Sequence, residues 1–335
     1  MTPPAPGSSV TDAALVPAPE LTARLAATLA AVWPEAPRRD DRKLGLAVSG
    51  GPDSTALLLL AAAAWPGRIE AATVDHGLRA ESAAEATEVA ALCARLGVPH
   101  AVLRVEVAEG NVQAQARHAR YAALAGWIAA RGLGALATAH HADDQAETLL
   151  LRLNRGSGVA GLAGTRARGL VPETAIPLLR PLLGWRRREL LDVVAAAGVE
   201  AAQDPSNADD RFDRVRLRKA LAHADWLDVP AVAASASHLA DADAALDWAA
   251  RREWRECVVV SGLGTTYRPQ APRAVALRVL ARIISELDGE EPRGGAVARL
   301  FDSLVAKSPA SIGGLVVRPT LEGWSFSRAP KRNTM

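Results

Sequence analysis

Short apolar runs alternate with longer amphipathic runs between Leu44 and about Leu153. The short runs predict buried β-strands at 44–49, 68–75, 100–107 and 134–139. The longer runs predict helices from 54 onward and at 81–96, 112–131 and 142–154. This alternation is typical of an α/β fold, in which a parallel sheet carries helices on both faces. Ligands of such sheets bind beyond the carboxyl ends of the strands, where Ser49, Asp75 and His140 fall.

The pattern changes in the second half of the chain. Residues 156–185 are rich in glycine and loop formers, and a helix is predicted at 186–197. Further helices are predicted at 275–306, before a hairpin-like alternation at 311–330. The predicted division is a disordered tail at 1–20, an α/β domain at 21–229, a linking helix at 230–255, a smaller, mainly α domain at 256–328, and a tail at 329–335.

Composition narrows the class of protein. Of the 335 residues, 49% are hydrophobic and 23% are charged, as in an ordinary globular protein. The formal net charge of +2 does not by itself indicate a nucleic-acid partner. Only four of the 39 basic residues are lysines, however, and arginine is suited to bidentate phosphate contacts. An alanine- and arginine-rich chain is equally typical of a GC-rich genome, so both interpretations stay open.

Cysteine content and hydropathy exclude other classes. Cys93 and Cys257 lie far apart, which excludes a disulfide framework, a CxxC redox or iron–sulfur site and a cysteine zinc cluster. The longest apolar run, at 55–65, is shorter than the roughly 20 residues that span a bilayer. The amino terminus lacks the pattern of a signal peptide. We therefore expect a cytoplasmic protein with no membrane partner.

The segment SGGPDS at 49–54 lies between a predicted strand and a predicted helix. Its two glycines let the backbone approach an anion, and the helix amino terminus offers free N–H groups. Asp53 fits a phosphate site when Mg²⁺ bridges its carboxylate to the phosphates. An ordinary turn would use the same residue types, but the complete motif favours a phosphate site. No GK[ST] sequence occurs, so this is not a Walker A loop.

The segment HHADDQAET at 140–148 is the second strong cluster. Asp144 and Glu147 are three residues apart and therefore lie on one face of the predicted helix. Such carboxylates can bind Mg²⁺ or a substrate ammonium group. An acidic helix start capped by Asp143 explains one or two of them, but not the adjacent histidines. A zinc site would need a third ligand cluster, which the sequence lacks.

Arginines gather in three segments. QARHARY places Arg117 and Arg120 on one side of a helix, and further arginines lie at 180–189 and 211–219. A solvent-exposed helix face without a function is enough to explain the arginines of each segment. The functional alternative is an arginine aimed at phosphate or a leaving group in the first segment and RNA contacts in the others, with Trp185 and Phe212 available for base stacking.

Other motifs offer competing hypotheses. AVSGG at 47–51 is similar to a degenerate nucleophile elbow of a serine hydrolase, with Ser49 as nucleophile, but the loop continues through Pro52 and Asp53 before the helix. GSGVAG at 156–161 matches GxGxxG but follows a helix instead of a strand. It fits a helix stop, a hinge or a mobile loop better than a dinucleotide site. A non-catalytic RNA-binding module is the third alternative.

Seven segments, taken in order, resemble the tRNA(Ile)-lysidine synthetases (also called synthases), which are N-type ATP pyrophosphatases of the PP-loop superfamily. They are SGGPDS, VDHGLR, QARHARY, HHADDQAETLLLRL, RGSGVAGL, RPLL and DPSNADDRFDRVRLR. The resemblance is close over roughly 40–220 and looser beyond. It implies an adenine nucleotide α-hydrolase-like fold that uses ATP and Mg²⁺. The implied reaction adenylates the C2 oxygen of the wobble cytidine, position 34, of the CAU-anticodon tRNA(Ile) and releases pyrophosphate, after which free lysine displaces AMP.

The resemblance also implies roles for individual residues. It implies ATP binding by Ser49, Gly50, Gly51, Pro52, Asp53, Ser54, Asp75 and His76, with Mg²⁺ held at Asp53. Lysine binding is implied for Asp144 and Glu147, and catalysis for Asp53, Arg120, Asp144 and Glu147. The domain at 256–328 is expected to bind tRNA together with Arg180, Arg186, Arg187, Arg211, Arg214, Arg216 and Arg218. A homodimer is compatible with the family.

The sequence departs from the family pattern in two respects. Val215 stands where the family usually has asparagine, which we expect to affect packing or an RNA contact more than catalysis. The carboxyl-terminal part is short, so we expect the extra terminal domain of longer members to be absent.

Overall fold

A computed structural model describes residues 15–35, 42–77, 81–105, 112–202, 211, 213–261 and 264–329. The chain forms two compact units, Met1–His238 and Leu239–Met335. The boundary between them falls inside a long helix, α9 (Val229–Cys257). Most of the predicted tails, at 1–14 and 330–335, and most of the DPSN segment, at 203–210, lie outside the described residues.

The first unit alternates strands and helices as the hydrophobic pattern predicts. Its elements before α9 are α1 (Pro19–Val32), β1 (Leu44–Ala47), α2 (Pro52–Ala64), β2 (Ile69–Asp75), α3 (Glu81–Arg95), β3 (His100–Arg104), α4 (Val112–Arg131), β4 (Ala135–Ala137), α5 (Ala142–Asn154), α6 (Val159–Leu162), β5 (Arg168–Leu170), β6 (Pro177–Leu179), α7 (Arg187–Ala196) and α8 (Asp213–Leu221). Helix α1 begins at Pro19 and Leu15 is buried, so packed structure reaches into the segment predicted as a tail.

Six strands of the described chain form one sheet, in the order β3-β2-β1-β4-β6-β5. All neighbouring pairs are parallel except β5 with β6. The predicted α/β fold is confirmed. Strand β1 pairs with β2 on one side and β4 on the other, so the strand order reverses there. Ligands of such sheets bind at this switch point.

Both faces of the sheet are covered. Helix α2 is apolar on all sides after its first turn, and it packs between the sheet and helices α1 and α7. Helix α4 covers the opposite face through Leu124 and Ile128. Gly45 in β1 permits this approach, because a Cβ atom there would lie 2.3 Å from Ile128 Cδ1 and 2.8 Å from Trp127 Cζ3. Each leucine buried in this way contributes about 1.5–3 kcal/mol to folding.

The second unit contains helices and an antiparallel sheet. After α9 it comprises β7 (Val258–Ser261), β8 (Gly264–Tyr267), α10 (Arg273–Asp288), α11 (Gly294–Val305), β9 (Ala310–Ile312), β10 (Leu315–Thr320) and β11 (Gly323–Arg328). The strand order is β7-β8-β11-β10-β9. The sequence analysis predicted the β10–β11 hairpin but placed no strand at β7 or β8. Within the described residues, no helix combines the length and apolarity that a bilayer crossing requires.

Candidate functional site

A cavity of about 650 Å³ opens at the carboxyl ends of β1, β2 and β4, inside the first unit. Its lining includes Ser49 after β1, His76 after β2 and His140 after β4. Arg120 and Tyr121 of α4 also line the cavity. Its volume is typical of small-molecule sites. The fold therefore brings together strand-end residues that the sequence analysis selected separately.

The SGGPDS loop forms one part of this cavity. Gly50 has φ +86°, a left-handed conformation that favours glycine, and Gly51 is the N-cap of α2. Ser54 Oγ accepts a hydrogen bond from Ser49 N–H at 3.1 Å and donates one to Gly51 O at 2.9 Å. The hydroxyl of Ser54 thus fixes the loop. The first N–H groups of α2 have no intrahelical acceptor, so this end of the helix suits an anion.

Ser49 lacks the partner of a hydrolase nucleophile. Across the described part of the chain, its Oγ atom contacts Ser54 Oγ at 3.2 Å and no histidine nitrogen. A serine nucleophile requires a base within hydrogen-bond reach. The geometry does not support the serine-hydrolase hypothesis.

His141, the N-cap residue of α5, lies among three carboxylates and is only 2% exposed. Its Nε2 atom is 3.6 Å from Asp53 Oδ2 and 3.5 Å from Asp144 Oδ2, and its Nδ1 atom is 3.7 Å from Asp143 Oδ2. Burial lowers the pKa of His141, but the carboxylates outweigh burial and raise that pKa above its usual value. The backbone and side chains of His141 and Asp144 also form the capping box of α5. His141 therefore orients both Asp53 and Asp144.

Asp53 offers an unused carboxylate oxygen. Its Oδ1 atom is buried and has no hydrogen-bond partner among the described residues. In the same residues, no group of three His, Cys, Asp or Glu side chains is arranged to hold a metal ion by itself. This combination fits Mg²⁺, which commonly takes one or two protein carboxylates and completes its coordination with phosphate oxygens and water.

Glu147 is almost fully buried and bound by two arginines of α8. Arg218 Nε donates to Glu147 Oε1 at 2.7 Å, and Arg218 Nη2 donates to Oε2 at 3.2 Å. Arg214 Nε lies 3.2 Å from Oε2, and its Nη2 donates to Thr148 Oγ1 at 2.8 Å. The structure thus pairs a residue predicted to bind lysine with two predicted to bind tRNA. Asp144 lines the cavity directly.

Arg120 brings positive charge to the wall of the cavity. Its guanidinium lies 5.4 Å from the ring centre of Tyr121, and that of Arg117 lies 5.0 Å from it. Among the described residues, Arg120 has no acidic partner. Burial lowers the pKa of Arg120. A half-buried, unpaired guanidinium suits a phosphate group.

The two strand-end residues of β2 differ in their surroundings. Asp75 Oδ1 accepts hydrogen bonds from Ser82 Oγ at 2.6 Å and Gly77 N–H at 2.9 Å, and these bonds lower the pKa of Asp75. Asp75 thus links Gly77 to Ser82 of α3. His76 lines the cavity, and burial followed by the charge of Arg120 lowers its pKa. Of the pair, His76 is the side chain that faces the cavity.

Comparisons with known proteins agree with this arrangement. Residues 20–224 match the family model of the PP-loop domain. The tRNA(Ile)-lysidine synthase of Novosphingobium aromaticivorans is 51% identical over 293 residues, which cover 86% of this chain and 90% of that relative. The chain belongs to the tRNA(Ile)-lysidine synthase family. The tRNA(Ile)-lysidine synthase of Zymomonas mobilis is 39% identical over 297 residues, covering 87% of this chain and 89% of that relative.

A solved structure shows the same fold at low identity. It is the U34-tRNA thiolase NcsA from Methanococcus maripaludis with its [4Fe-4S] cluster, which has 14% sequence identity and a TM-score of 0.51. The match covers 65% of this chain and 77% of the thiolase. This likeness concerns the PP-loop fold only.

In this member of the tRNA(Ile)-lysidine synthase family, the arginines predicted to bind tRNA do not form one surface. Arg180 is 8% exposed, and its Nη1 atom donates to Arg166 O at 2.7 Å. Arg186 contacts the Asp143 carboxylate at 3.3 Å. Trp185 is buried beneath the guanidinium of Arg24, at 4.1 Å, so the suggestion that it stacks on RNA bases is wrong.

The remaining predicted tRNA contacts lie on or before α8. Arg214 and Arg218 bind Glu147, as described above, and Arg211, Arg214 and Arg216 are all exposed. Phe212 lies outside the described residues. Arg216 pairs with Asp213, which also binds Arg155 at 2.7 Å. Val215 is buried, so the residue that departs from the pattern of the tRNA(Ile)-lysidine synthase family lies on the packed face of α8.

Sequence reasoning assigned no role to two residues that line the cavity or support it, and it assigned a third, Arg187, to tRNA binding. Tyr121 and Arg187 line the cavity, and His141 supports Asp53 and Asp144. His141 had a signal, since it lies in the HHADDQAET segment, two residues after the predicted strand at 134–139. Arg187 had no signal for the cavity, because nothing local distinguishes it from the neighbouring arginines.

Proposed function

We propose that this protein is an ATP-dependent carbon–nitrogen ligase that attaches free lysine to C2 of the wobble cytidine, position 34, of the CAU-anticodon tRNA(Ile). The cytidine is first adenylated, with release of pyrophosphate, and lysine then displaces AMP. The product anticodon reads AUA in place of AUG. Membership of the tRNA(Ile)-lysidine synthase family supports this substrate, and the geometry of the cavity supports the chemistry.

The observation that carries the proposal is the unused Oδ1 oxygen of Asp53, beside the open amino terminus of α2. An unpaired buried carboxylate oxygen costs free energy, so its retention next to an anion site indicates a ligand that joins the two. Phosphate together with Mg²⁺ has that chemistry. Bound there, Mg²⁺ would neutralise charge on the phosphates.

In the first step, the residues of this chain would orient ATP and stabilise the developing charge. The N–H groups at the start of α2 would bind phosphate oxygens, and Arg120 would face the transferred AMP or the cytidine. The C2 oxygen of cytidine forms a bond to the α-phosphorus while the bond to pyrophosphate breaks. His76 faces the same cavity and lies on the side of β2, where we place the adenosine.

In the second step, the ε-amine of lysine attacks C2, and the C2–O bond to AMP breaks. The neutral amine is the nucleophile, so its ammonium form must first lose a proton. Asp144 faces the cavity and is the residue we assign to hold the ammonium group and receive that proton. Glu147 would act beside it, together with the arginines that bind its carboxylate.

The partners follow from this reaction. The protein would bind tRNA(Ile) through the exposed arginines before and on α8 and through the carboxyl-terminal unit, and would work in the cytoplasm, where ATP, lysine and tRNA meet. A homodimer stays a prediction, which the mass of the protein in solution would test.

Incubation with ATP, Mg²⁺, radiolabelled lysine and a CAU-anticodon tRNA(Ile) transcript should place label in RNA and release AMP and pyrophosphate. Asp53→Asn and Asp144→Asn should each reduce labelling by about 100-fold or more, because each removes a charge at the reacting groups. Asp192→Asn is the matched control, since Asp192 is an exposed carboxylate of α7. A folded protein that binds the tRNA but leaves it unlabelled would contradict the proposal and favour a non-catalytic RNA-binding module.

A further inference from the structure

Arg187, at the start of α7, directs its side chain into the cavity formed by the SGGPDS loop. Its Nε atom is buried and lacks a hydrogen-bond partner within the described chain, as does Asp53 Oδ1. The two atoms are 4.0 Å apart, which is too long for a hydrogen bond. A cationic donor and an anionic acceptor thus face each other across a gap, with neither satisfied.

The backbone holds Arg187 firmly in this position. Arg187 N–H donates to Asp143 Oδ2 at 2.8 Å, and Arg186 N–H donates to Glu189 Oε2 at 2.7 Å. Glu189 is in turn bound by Arg24 at 2.6 Å. Helix α7 also packs against α2, the helix that begins at the SGGPDS loop. The distance from Arg187 to the loop is therefore set by packed structure.

The other arginines near the site are differently placed. Arg186 contacts Asp143, and Arg214 and Arg218 bind Glu147. Arg187 is thus the arginine beside Asp53 whose Nε has no acceptor, within the residues described. An unsatisfied buried donor of this kind is costly unless a ligand supplies the acceptor.

We propose that Arg187 binds the β- and γ-phosphates of ATP and remains on them as pyrophosphate leaves. The inference deepens the function proposed above. The bond between the α-phosphorus and its bridging oxygen breaks, and the electron pair passes to pyrophosphate. Arg187 stabilises the charge that grows on those oxygens, and its planar guanidinium suits two of them at once. It touches the substrate and is therefore a catalytic residue, not a tRNA contact.

The test measures anion binding directly, without tRNA or lysine. Isothermal titration calorimetry measures the binding of magnesium pyrophosphate and, separately, of AMP to the full-length protein. Arg187→Gln should raise the Kd for pyrophosphate about 10- to 100-fold, the loss expected for a charge-assisted hydrogen bond, and leave the Kd for AMP unchanged. Arg188→Gln is the matched control, because Arg188 is the next residue and is exposed. It should bind both ligands as the wild type does.

Two further measurements decide the alternatives. Arg187→Lys keeps the positive charge but loses the two parallel N–H donors of the guanidinium, so it should bind pyrophosphate with an intermediate Kd. Arg187→Lys replaces Arg187→Gln in the test if circular dichroism shows that Arg187→Gln does not fold. Filter binding measures the affinity for tRNA. Unchanged pyrophosphate binding in both variants, or weakened tRNA binding alone, would overturn the inference. If the wild-type protein does not label RNA but Arg187→Gln still weakens pyrophosphate binding, the proposed function is wrong and the assignment of Arg187 to a phosphate site is supported.

Discussion

Burial sets the protonation of individual side chains at this site. Burial lowers the pKa of His140 to about 4, and the charges of Arg180, Arg117 and Arg120 act in the same direction, against that of Asp144. His140 is therefore neutral at pH 7, and its Nδ1 atom lies 3.0 Å from Thr138 Oγ1. A neutral imidazole can act as a hydrogen-bonding group beside the arginines without adding to their charge.

This pKa predicts how stability depends on pH. The unfolded chain binds a proton at His140 near pH 6.5 and the folded chain only near pH 4, so the free energy of unfolding should fall as pH drops through that window. His140→Asn should make the fall shallower between pH 7 and pH 5. Urea unfolding at several pH values measures it, with His238→Asn as the exposed control. Equal slopes for wild type and His140→Asn would contradict the prediction.

Helix α5 holds the glycine-rich segment that follows it. Gln145 Nε2 donates to Thr165 O at 2.7 Å, and Thr165 N–H donates back to Gln145 Oε1 at 2.7 Å. Arg152 Nη1 donates to Gly161 O at 2.7 Å. Gly156, with φ +66°, follows the C-cap of the helix. Of the interpretations left open for this GxGxxG segment, these contacts fit a segment that ends α5 and is hydrogen-bonded to it.

Loss of the Gln145 side chain should release that segment. Gln145→Ala removes two hydrogen bonds and leaves two backbone groups of Thr165 without partners, so we expect about 1–3 kcal/mol lower stability. Amide hydrogen exchange at 156–165 should accelerate more than elsewhere. Gln115→Ala, at an exposed position of α4, is the control. Unaltered exchange across 156–165 would show that Gln145 does not hold the segment.

At the scale of the whole molecule, the net charge of +2 says little about RNA binding, because most of the candidate arginines are engaged. Arg186, Arg214, Arg216 and Arg218 contact carboxylates, and Arg180 is buried. Electrostatic attraction to tRNA depends on cations that reach phosphates and release counterions. The number of phosphate contacts should therefore be smaller than the count of arginines suggests.

Salt dependence tests which arginines contact the tRNA backbone. Arg211→Gln and Arg216→Gln should each lower the slope of log Kd against log salt by about 1 and weaken binding of different tRNAs to a similar extent. Fluorescence anisotropy at salt concentrations from about 50 to 200 mM measures this slope. Arg95→Gln, at the exposed end of α3, is the control. An unchanged slope in both test variants would place the tRNA elsewhere.

The local sequence was sufficient to predict most strands and helices of the first unit. The apolar runs at β1 to β4 and the helices between them are set by periodicity within a few residues, and the SGGPDS and HHADDQAET segments mark the strand ends directly. Strands β5 and β6 were not predicted, because they lie in the segment at 156–185, which is rich in glycine and loop formers. A parallel sheet then brings the marked strand ends to one edge, which is why the position of the cavity could be predicted.

Tertiary structure alone decided which charges are paired. Arg218 binds Glu147 across 71 positions of sequence, and Arg180 is buried. Arg187 Nε lies 4.0 Å from Asp53 Oδ1 without a hydrogen bond. In the sequence, these residues are indistinguishable from neighbouring arginines. The packing of α7 and α8 determines which groups lie beside each arginine. The extent of burial then determines whether a guanidinium is paired with a carboxylate, unpaired at the cavity or exposed to solvent.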